Sequence, residues 1–370
     1  MCMNIKFVPR STQFHILLCM LLAILAGCSS SPATVAPAPV STPAPSTAAY
    51  WPTVAWRTSP PEAQGMDSQK LAQMLAAVQQ QHLNLHSLLV IRNGYIVSET
   101  YFGSYQPDTR HEQYSCTKSF VSTLIGIALD KASIDRIDRK IADFFPERTF
   151  ANLDPQKEAM TLEDVLTMRS GLDWQEGDPV YAAMYRSPDW VKFVLDTPMA
   201  VAPGSQFNYC SGCSHLLSAI LQQATGMNTR DFAEQYLFKP LGISKVTWET
   251  DANGIPIGGW GLQLTPRDMA KLGYLYLRGG VWDGRQIVSA KWVEAATQKH
   301  TDTDGDLGYG YQWWTYPSLA AYTALGRYGQ TIFVVPGYDL VVVTTAQMED
   351  HAEIFKLIDG YILPAVQKPQ

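Results

Sequence analysis

The sequence predicts an α+β protein: one antiparallel sheet assembled from both ends of the chain, flanked by terminal helices, with a mostly helical domain inserted between the sheet-forming parts. Three observations carry this expectation. Two β-rich runs in SLLVIRNGYIVSETYF are joined by Asn93-Gly94, a strong short-range hairpin signal, so a sheet begins near Ser87. From about residue 110 to 250 the apolar residues fall at helical spacing, in SFVSTLIGIALDK, LEDVLTMRSG, DWVKFVLDT, SHLLSAILQQATG and RDFAEQYLFKP. Strand patterns then return in YGYQWWTY, AAYTALG, TIFVVP and LVVVTTA, and the chain ends on the apolar helix pattern AEIFKLIDGYILPA.

At the N-terminus, residues 1–15 carry Lys6 and Arg10 and no acid, and residues 16–27 form a short apolar stretch ending in small residues. That is the anatomy of a signal peptide, too short for a spanning helix. Leu25-Ala26-Gly27-Cys28 resembles the bacterial lipobox, which implies cleavage before Cys28 and lipidation of its thiol. Ser29 after the lipidated cysteine resembles the pattern of outer-membrane sorting, so the expected place is the cell envelope, anchored by lipid and facing the periplasm. Residues 28–58 are read as a tether, because the run from Ser29 to Pro52 is Pro/Ala/Ser/Thr-rich and uncharged and cannot build a core. The folded domain is placed at 59–367, with 59–108 plus 255–367 as its sheet part and 109–254 as its helical part.

Within that domain, Leu71, Met74, Leu75 and Val78 follow Asp67 or Ser68 as a cap and predict a first helix over 67–81. LTPRDMAKLGYLYLRGG predicts a helix stopped by Gly279 and Gly280, and SAKWVEAATQ another. Trp313-Trp314 sits in a strand pattern, where alternation buries only one ring.

With 46% apolar and 17% charged residues over 370 positions, the chain has the material for a large core. The formal charge of −6, without a basic run, excludes a nucleic-acid-binding footprint. Cys116, Cys210 and Cys213 remain beyond the lipobox cysteine: one disulfide with one free thiol, three buried thiols, or a Cys116–Cys210 bridge all fit the sequence. None of the seven histidines falls in an H-E-x-x-H, and G-x-S-x-G is absent, so neither zinc-protease nor α/β-hydrolase chemistry is supported. No metal and no organic cofactor is expected.

The chemistry resides in Tyr114-Ser115-Cys116-Thr117-Lys118, followed by an apolar helix. Three-residue spacing puts Ser115 and Lys118 on one helix face, and the helix start favours a developing anion. A lysine buried under an apolar helix loses its charge more readily, and can then take a proton from a serine. Ser-x-x-Lys recurs by chance about once in 300 positions, so further support matters. Tyr209-Cys210-Ser211 supplies it: a phenol near two cationic groups is expected to shift toward phenolate and relay a proton. In AAYTALGRYGQTIFVVP, the strand ending at Gly326 can lay one backbone N–H beside the serine as an oxyanion donor.

Ser115-x-x-Lys118, Tyr209-x-Ser211, TLEDVLTMRSGLDW, YLFKPLGI and GLQLTPRDMAKLG together resemble the penicillin-recognising serine hydrolases of the class C β-lactamase type, in order over about residues 60–365. The resemblance implies a β-lactamase/transpeptidase-like fold. It also implies Ser115 as nucleophile, Lys118 as general base, Tyr209 as relay to the leaving group and Ser211 as a hydrogen-bonding partner of Lys118 or substrate. The backbone N–H groups of Ser115 and Arg327 would form the oxyanion hole. Which of Lys118 and Tyr209 takes the first proton stays open, because the two titrate as a coupled pair. Ser211 stands where class C enzymes usually carry Asn, and Ala324-Leu325-Gly326 stands where they carry a Lys-Thr-Gly strand. Tyr-x-Ser with Ala324, Gly326, Gly329 and Gln330 is more similar to the 6-aminohexanoate-dimer hydrolase branch, implying cleavage of an amide or ester in a small-molecule or short-peptide substrate. The alternatives are a β-lactamase or D-alanyl-D-alanine carboxypeptidase, and a non-catalytic envelope-binding lipoprotein.

Overall fold

The structure, a computed structural model, describes residues 50–367. The expected signal peptide, Cys28 and most of the expected tether lie outside the described residues. The strands in chain order are Leu85–Arg92 (β1), Tyr95–Tyr101 (β2), His111–Glu112 (β3), Thr247–Trp248 (β4), Leu262–Leu264 (β5), Val281–Trp282 (β6) and Arg285–Gln286 (β7). They continue with Thr301–Asp302 (β8), Gly308–Tyr309 (β9), Trp314–Tyr316 (β10), Ala321–Gly326 (β11), Gln330–Val335 (β12) and Leu340–Ala346 (β13). The main sheet has eight strands in the order β2-β1-β13-β12-β11-β10-β9-β8, with antiparallel pairing throughout. β1 pairs directly with β13, so strands from the two ends of the folded domain are neighbours in one sheet, as the sequence patterns require.

Asn93 and Gly94 both adopt positive φ (52° and 83°), the twist that a two-residue hairpin loop needs. Strands β11, β12 and β13 are buried along their whole length, because helices cover both faces. Alternation sorts their side chains: Leu89, Ile332, Val334, Val341 and Val343 enter the core on the helical-domain side, and Leu88, Val90, Phe333, Val335 and Val342 enter the core under the terminal helices.

Helix α1 (Ser68–Gln80) begins at Asp67, whose carboxylate accepts from the N–H groups of Gln69 and Lys70, and buries Leu71, Met74, Ala77 and Val78. The last helix is less regular than its apolar pattern suggests: Ala352–Leu357 runs through a π-helical turn at Ile358–Ile362. Helix α2 (Thr117–Asp130) is buried on every side through Ala128, which makes it the central element between the sheet and the helical domain. A small sheet of order β3-β5-β4 ties the two parts together beside α2; its two- and three-residue strands are too short to register as periodicity.

Residues 50–58, which the sequence assigns to the tether, belong to the folded body. Trp56 is buried and its indole N–H donates to the Arg267 carbonyl (3.0 Å), while Trp51 lies against the rings of Tyr274 and Trp282. At Gly242, a Cβ would come within 1.9 Å of the Thr53 carbonyl oxygen, so the backbone itself makes room for this segment. Three aromatic rings (Tyr50, Trp51 and Trp56) in an otherwise polar, Pro-rich run supply the apolar area that docks it.

Candidate active site

Ser115 lies in a short 3-10 turn, Tyr114–Cys116, that feeds directly into α2. The turn is held in an unusual shape: Tyr114 has φ 45°, and its ring meets that of Tyr328 edge-on, with Tyr328 also at positive φ (66°). Strain of this kind persists only where the surroundings over-determine it, and it aims the Ser115 side chain along the start of α2.

Lys118 follows one turn later and is 1% exposed. Its Nζ lies 3.0 Å from Ser115 Oγ, 3.0 Å from Ser211 Oγ and 2.8 Å from the Gly259 carbonyl oxygen. Burial is the main reason its pKa falls from 10.5 to about 8, with Glu176 and Cys116 opposing the fall. The amine is thus readily deprotonated and in contact with the serine hydroxyl.

Tyr209 ends an extended segment just before the helix Ser211–Thr225. Lys118 Nζ sits 4.9 Å from its ring centroid, and the ring stacks on Trp314 at 5.8 Å. The phenol shifts in the opposite direction to the sequence expectation. Desolvation raises its pKa well above the ordinary value, Tyr309 adds to this, and only a hydrogen bond with Ser115 works against it. The correction has a simple cause: complete burial penalises the charged phenolate more than any neighbouring group favours it. Tyr209 is a protonated donor in the resting site.

Ser211, 2% exposed, begins the Ser211–Thr225 helix. Its hydroxyl lies between Lys118 Nζ and Glu176 Oε1, at 3.0 and 2.5 Å. Cys210 caps the helix, its Sγ accepting from the Cys213 N–H, and Cys210 and Cys213 are joined in a disulfide that closes the first turn. Cys116 is a free, buried thiol whose pKa burial pushes up; of the pairings open in the sequence, the structure adopts one disulfide and one free thiol.

Gly326 ends β11 against the turn that carries Ser115. A Cβ there would lie 2.2 Å from the Gln113 carbonyl oxygen and 3.3 Å from the Cys116 nitrogen. Arg327 follows with its side chain exposed and its guanidinium over the Tyr328 ring. Ser115, Lys118, Tyr209, Ser211 and the β11 terminus therefore converge, although the chain separates them by up to about two hundred positions.

Two contributors carry no sequence signature. Glu176 lies in an irregular loop, and only its two-residue spacing from Trp174 could have drawn attention to it. Gly259 supplies the carbonyl that holds Lys118; the Gly258-Gly259 pair is the one available hint, since a Cβ on Gly258 would sit 2.1 Å from the Ser214 carbonyl oxygen. His215, fully buried within the Ser211–Thr225 helix, bonds Asp251 through Nε2 at 3.1 Å, a structural pair that ties this helix to the Asp251 turn. Trp174, Trp190 and Trp313 are core residues, whereas half-buried Trp314 faces Tyr209. A cavity of about 550 Å³ near Lys140, Phe150 and Leu153 includes none of the residues converging on Ser115.

A serine in the turn that opens a buried helix, paired with a buried, easily deprotonated lysine beside an antiparallel sheet, defines a serine hydrolase of the penicillin-recognising class. The family model described as Beta-lactamase matches residues 62–366, and the chain belongs to the β-lactamase family. The 6-aminohexanoate-dimer hydrolase of Paenarthrobacter ureafaciens is 27% identical over 290 residues, covering 71% of this chain and 73% of its own. Among solved structures, EstCE1, described as a hydrolase with promiscuous acyltransferase activity, superposes with a TM-score of 0.69 at 17% identity, over 81% of this chain and 99% of that one. A family VIII carboxylesterase superposes with a TM-score of 0.66 at 16% identity, over 83% and 98%.

Proposed function

We propose that the protein cleaves an amide or short-chain ester through an acyl-serine intermediate on Ser115. The observation that carries this reading is the 3.0 Å contact between Ser115 Oγ and the Nζ of a lysine whose pKa is lowered to about 8. Neutral Lys118 accepts the Ser115 proton as Oγ adds to the substrate carbonyl carbon. The resulting oxyanion meets the backbone N–H groups of Ser115 and Arg327, with Gly326 allowing the strand to approach. As the bond to the leaving group breaks, Tyr209 donates its phenol proton to the departing amine or alcohol and is reprotonated through Lys118. Water then hydrolyses the acyl-serine by the same steps in reverse order. The named relative, a 6-aminohexanoate-dimer hydrolase, supports amide cleavage, and the carboxylesterase neighbour supports ester cleavage. Aromatic rings close to the site (Trp260 and Tyr181 near Gly259 and Glu176, Tyr309 and Trp314 beside Tyr209) suit a substrate with an apolar body.

The strand position at which class C enzymes carry a lysine is here Ala324, so a cation for a substrate carboxylate is missing from β11; this disfavours β-lactams and D-alanyl-D-alanine peptides. The lipobox-like run before Cys28 supports an envelope location, lipid-anchored and facing the periplasm. The test is intact mass after treatment with a fluorophosphonate. One adduct per chain is expected, absent in Ser115→Ala and slow to form in Lys118→Ala. A folded wild type that stays unlabelled would favour the binding-lipoprotein reading instead.

A further inference from the structure

Glu176 makes a hydrogen-bond pattern with a definite direction. Its Oε1 accepts from the Ser211 hydroxyl (2.5 Å) and from the Tyr181 hydroxyl, and its Oε2 accepts from the Ser211 backbone N–H (3.0 Å) and the Trp174 indole N–H (2.5 Å). A carboxylate has about four acceptor sites and no proton to give, so this group is saturated. The single hydroxyl proton of Ser211 is thereby committed to Glu176, and toward Lys118 the Ser211 oxygen can only accept. The Gly259 carbonyl can also only accept. Two N–H bonds of Lys118 are thus fixed on these partners, at 3.0 and 2.8 Å. The ammonium places its third proton on Ser115. The neutral amine has no third proton, and its lone pair takes that direction.

We propose that Glu176 is a positioning residue that sets the hydrogen-bond polarity of the site, acting through Ser211 so that deprotonated Lys118 turns its lone pair onto the Ser115 hydroxyl. This rests on the acyl-serine reading above. It makes a prediction that a packing role would not. In Glu176→Gln, the new amide nitrogen cannot face the Ser211 and Trp174 N–H groups, which only donate. It must take the Oε1 position, where it donates to the hydroxyls of Tyr181 and Ser211. The Ser211 proton is then released toward Lys118 and occupies the lone pair that Ser115 needs.

The experiment follows fluorophosphonate labelling of Ser115 over time by intact mass, from pH 6 to 10, in wild type, Glu176→Gln, Ser211→Ala and the double variant, with circular dichroism to check folding. Removing general-base action costs about 10²–10⁴ in rate, and Glu176→Gln is expected to lose about 100-fold without recovery at high pH, since the lone pair is occupied rather than protonated. Ser211→Ala, which removes the proton that can be reversed along with one anchor of Lys118, is expected to lose about tenfold. The double variant should then label faster than Glu176→Gln alone and match Ser211→Ala, a rescue by a second deletion. Labelling of Glu176→Gln at the wild-type rate, or a double variant no faster than Glu176→Gln, would overturn the proposal while leaving acyl-serine chemistry intact. An unlabelled wild type removes the reading beneath it. If Glu176→Gln does not fold, Ser211→Ala decides: an unchanged rate overturns the proposal, and a slowed rate with a displaced pH inflection supports it.

Discussion

Raising pH should activate the enzyme up to about pH 8 and stabilise its fold from there to about pH 10.5, because both effects come from the burial of Lys118. With the lysine at about 8 instead of 10.5, the free amine at pH 7 is about 9% of the total rather than about 0.03%, roughly 300-fold more base. The rate of Ser115 acylation should therefore rise about tenfold per pH unit below 8 and level off above it. Tyr209 and Cys116 both have pKa values shifted upward, so neither reaches its own titration within this range. The stability effect has a fixed sign. The unfolded chain keeps the Lys118 proton up to about pH 10.5, and the folded chain releases it near 8. Between those values the unfolded state binds more protons, and stability rises with pH, by about 3 kcal/mol in total. Below pH 8 both states are protonated and the folded state bears the full cost of the buried charge. Lys118→Met, which keeps the volume without the charge, isolates this contribution from all other titrations. Its stability relative to wild type, measured by urea unfolding, should be most favourable at pH 7 and decline by about 3 kcal/mol by pH 10.5. An acylation rate that is flat from pH 6 to 9, or a stability difference between the two proteins that does not vary with pH, would refute the assignment of Lys118 as a buried, readily deprotonated base.

Tyr209→Phe retains the ring contacts with Trp314 and Tyr309 but removes the proton donor; amide hydrolysis is expected to fall by about 10²–10³ and hydrolysis of p-nitrophenyl esters, whose leaving group needs no proton, by about tenfold or less, as read from kcat/KM. Gly258→Ala would place a Cβ 2.1 Å from the Ser214 carbonyl oxygen, so the loop that presents Gly259 to Lys118 must move; we expect a loss of about 1–3 kcal/mol in urea unfolding together with slower acylation. Gly94→Ala forces a side chain onto a φ of 83° and within 2.6 Å of the Tyr274 hydroxyl; the melting temperature should drop by several degrees, a loss of about 1 kcal/mol or more, while the pH dependence of acylation keeps its shape. Trp56→Ala tests the docked segment 50–58: deleting a buried indole is expected to cost about 3 kcal/mol, whereas a free tether would be indifferent to it.

Local interactions leave marks in the sequence. The hairpin at Asn93-Gly94 is chosen by backbone twist, α1 by a capping aspartate and a four-residue apolar stripe, and the Ser115/Lys118 pair by one turn of helix; each is complete within a few residues of chain. Continuous burial of α2 could likewise be read from its apolar run, and with it the direction of the Lys118 pKa. Contacts between distant segments leave no comparable mark. Glu176 reaches Ser211 across 35 positions, and Gly259 reaches Lys118 across 141. Neither spacing has a period, so neither residue stands out in the chain. The direction of the Tyr209 shift depended on how completely the assembled site excludes water from the phenol itself. By itself, then, the sequence determined the class of fold and the pairing of Ser115 with Lys118, because helix, hairpin and Ser-x-x-Lys are local. Only the tertiary structure decided which carboxylate and carbonyl surround them and which way the Tyr209 phenol shifts, because hydrogen-bond direction and desolvation are properties of the assembled site.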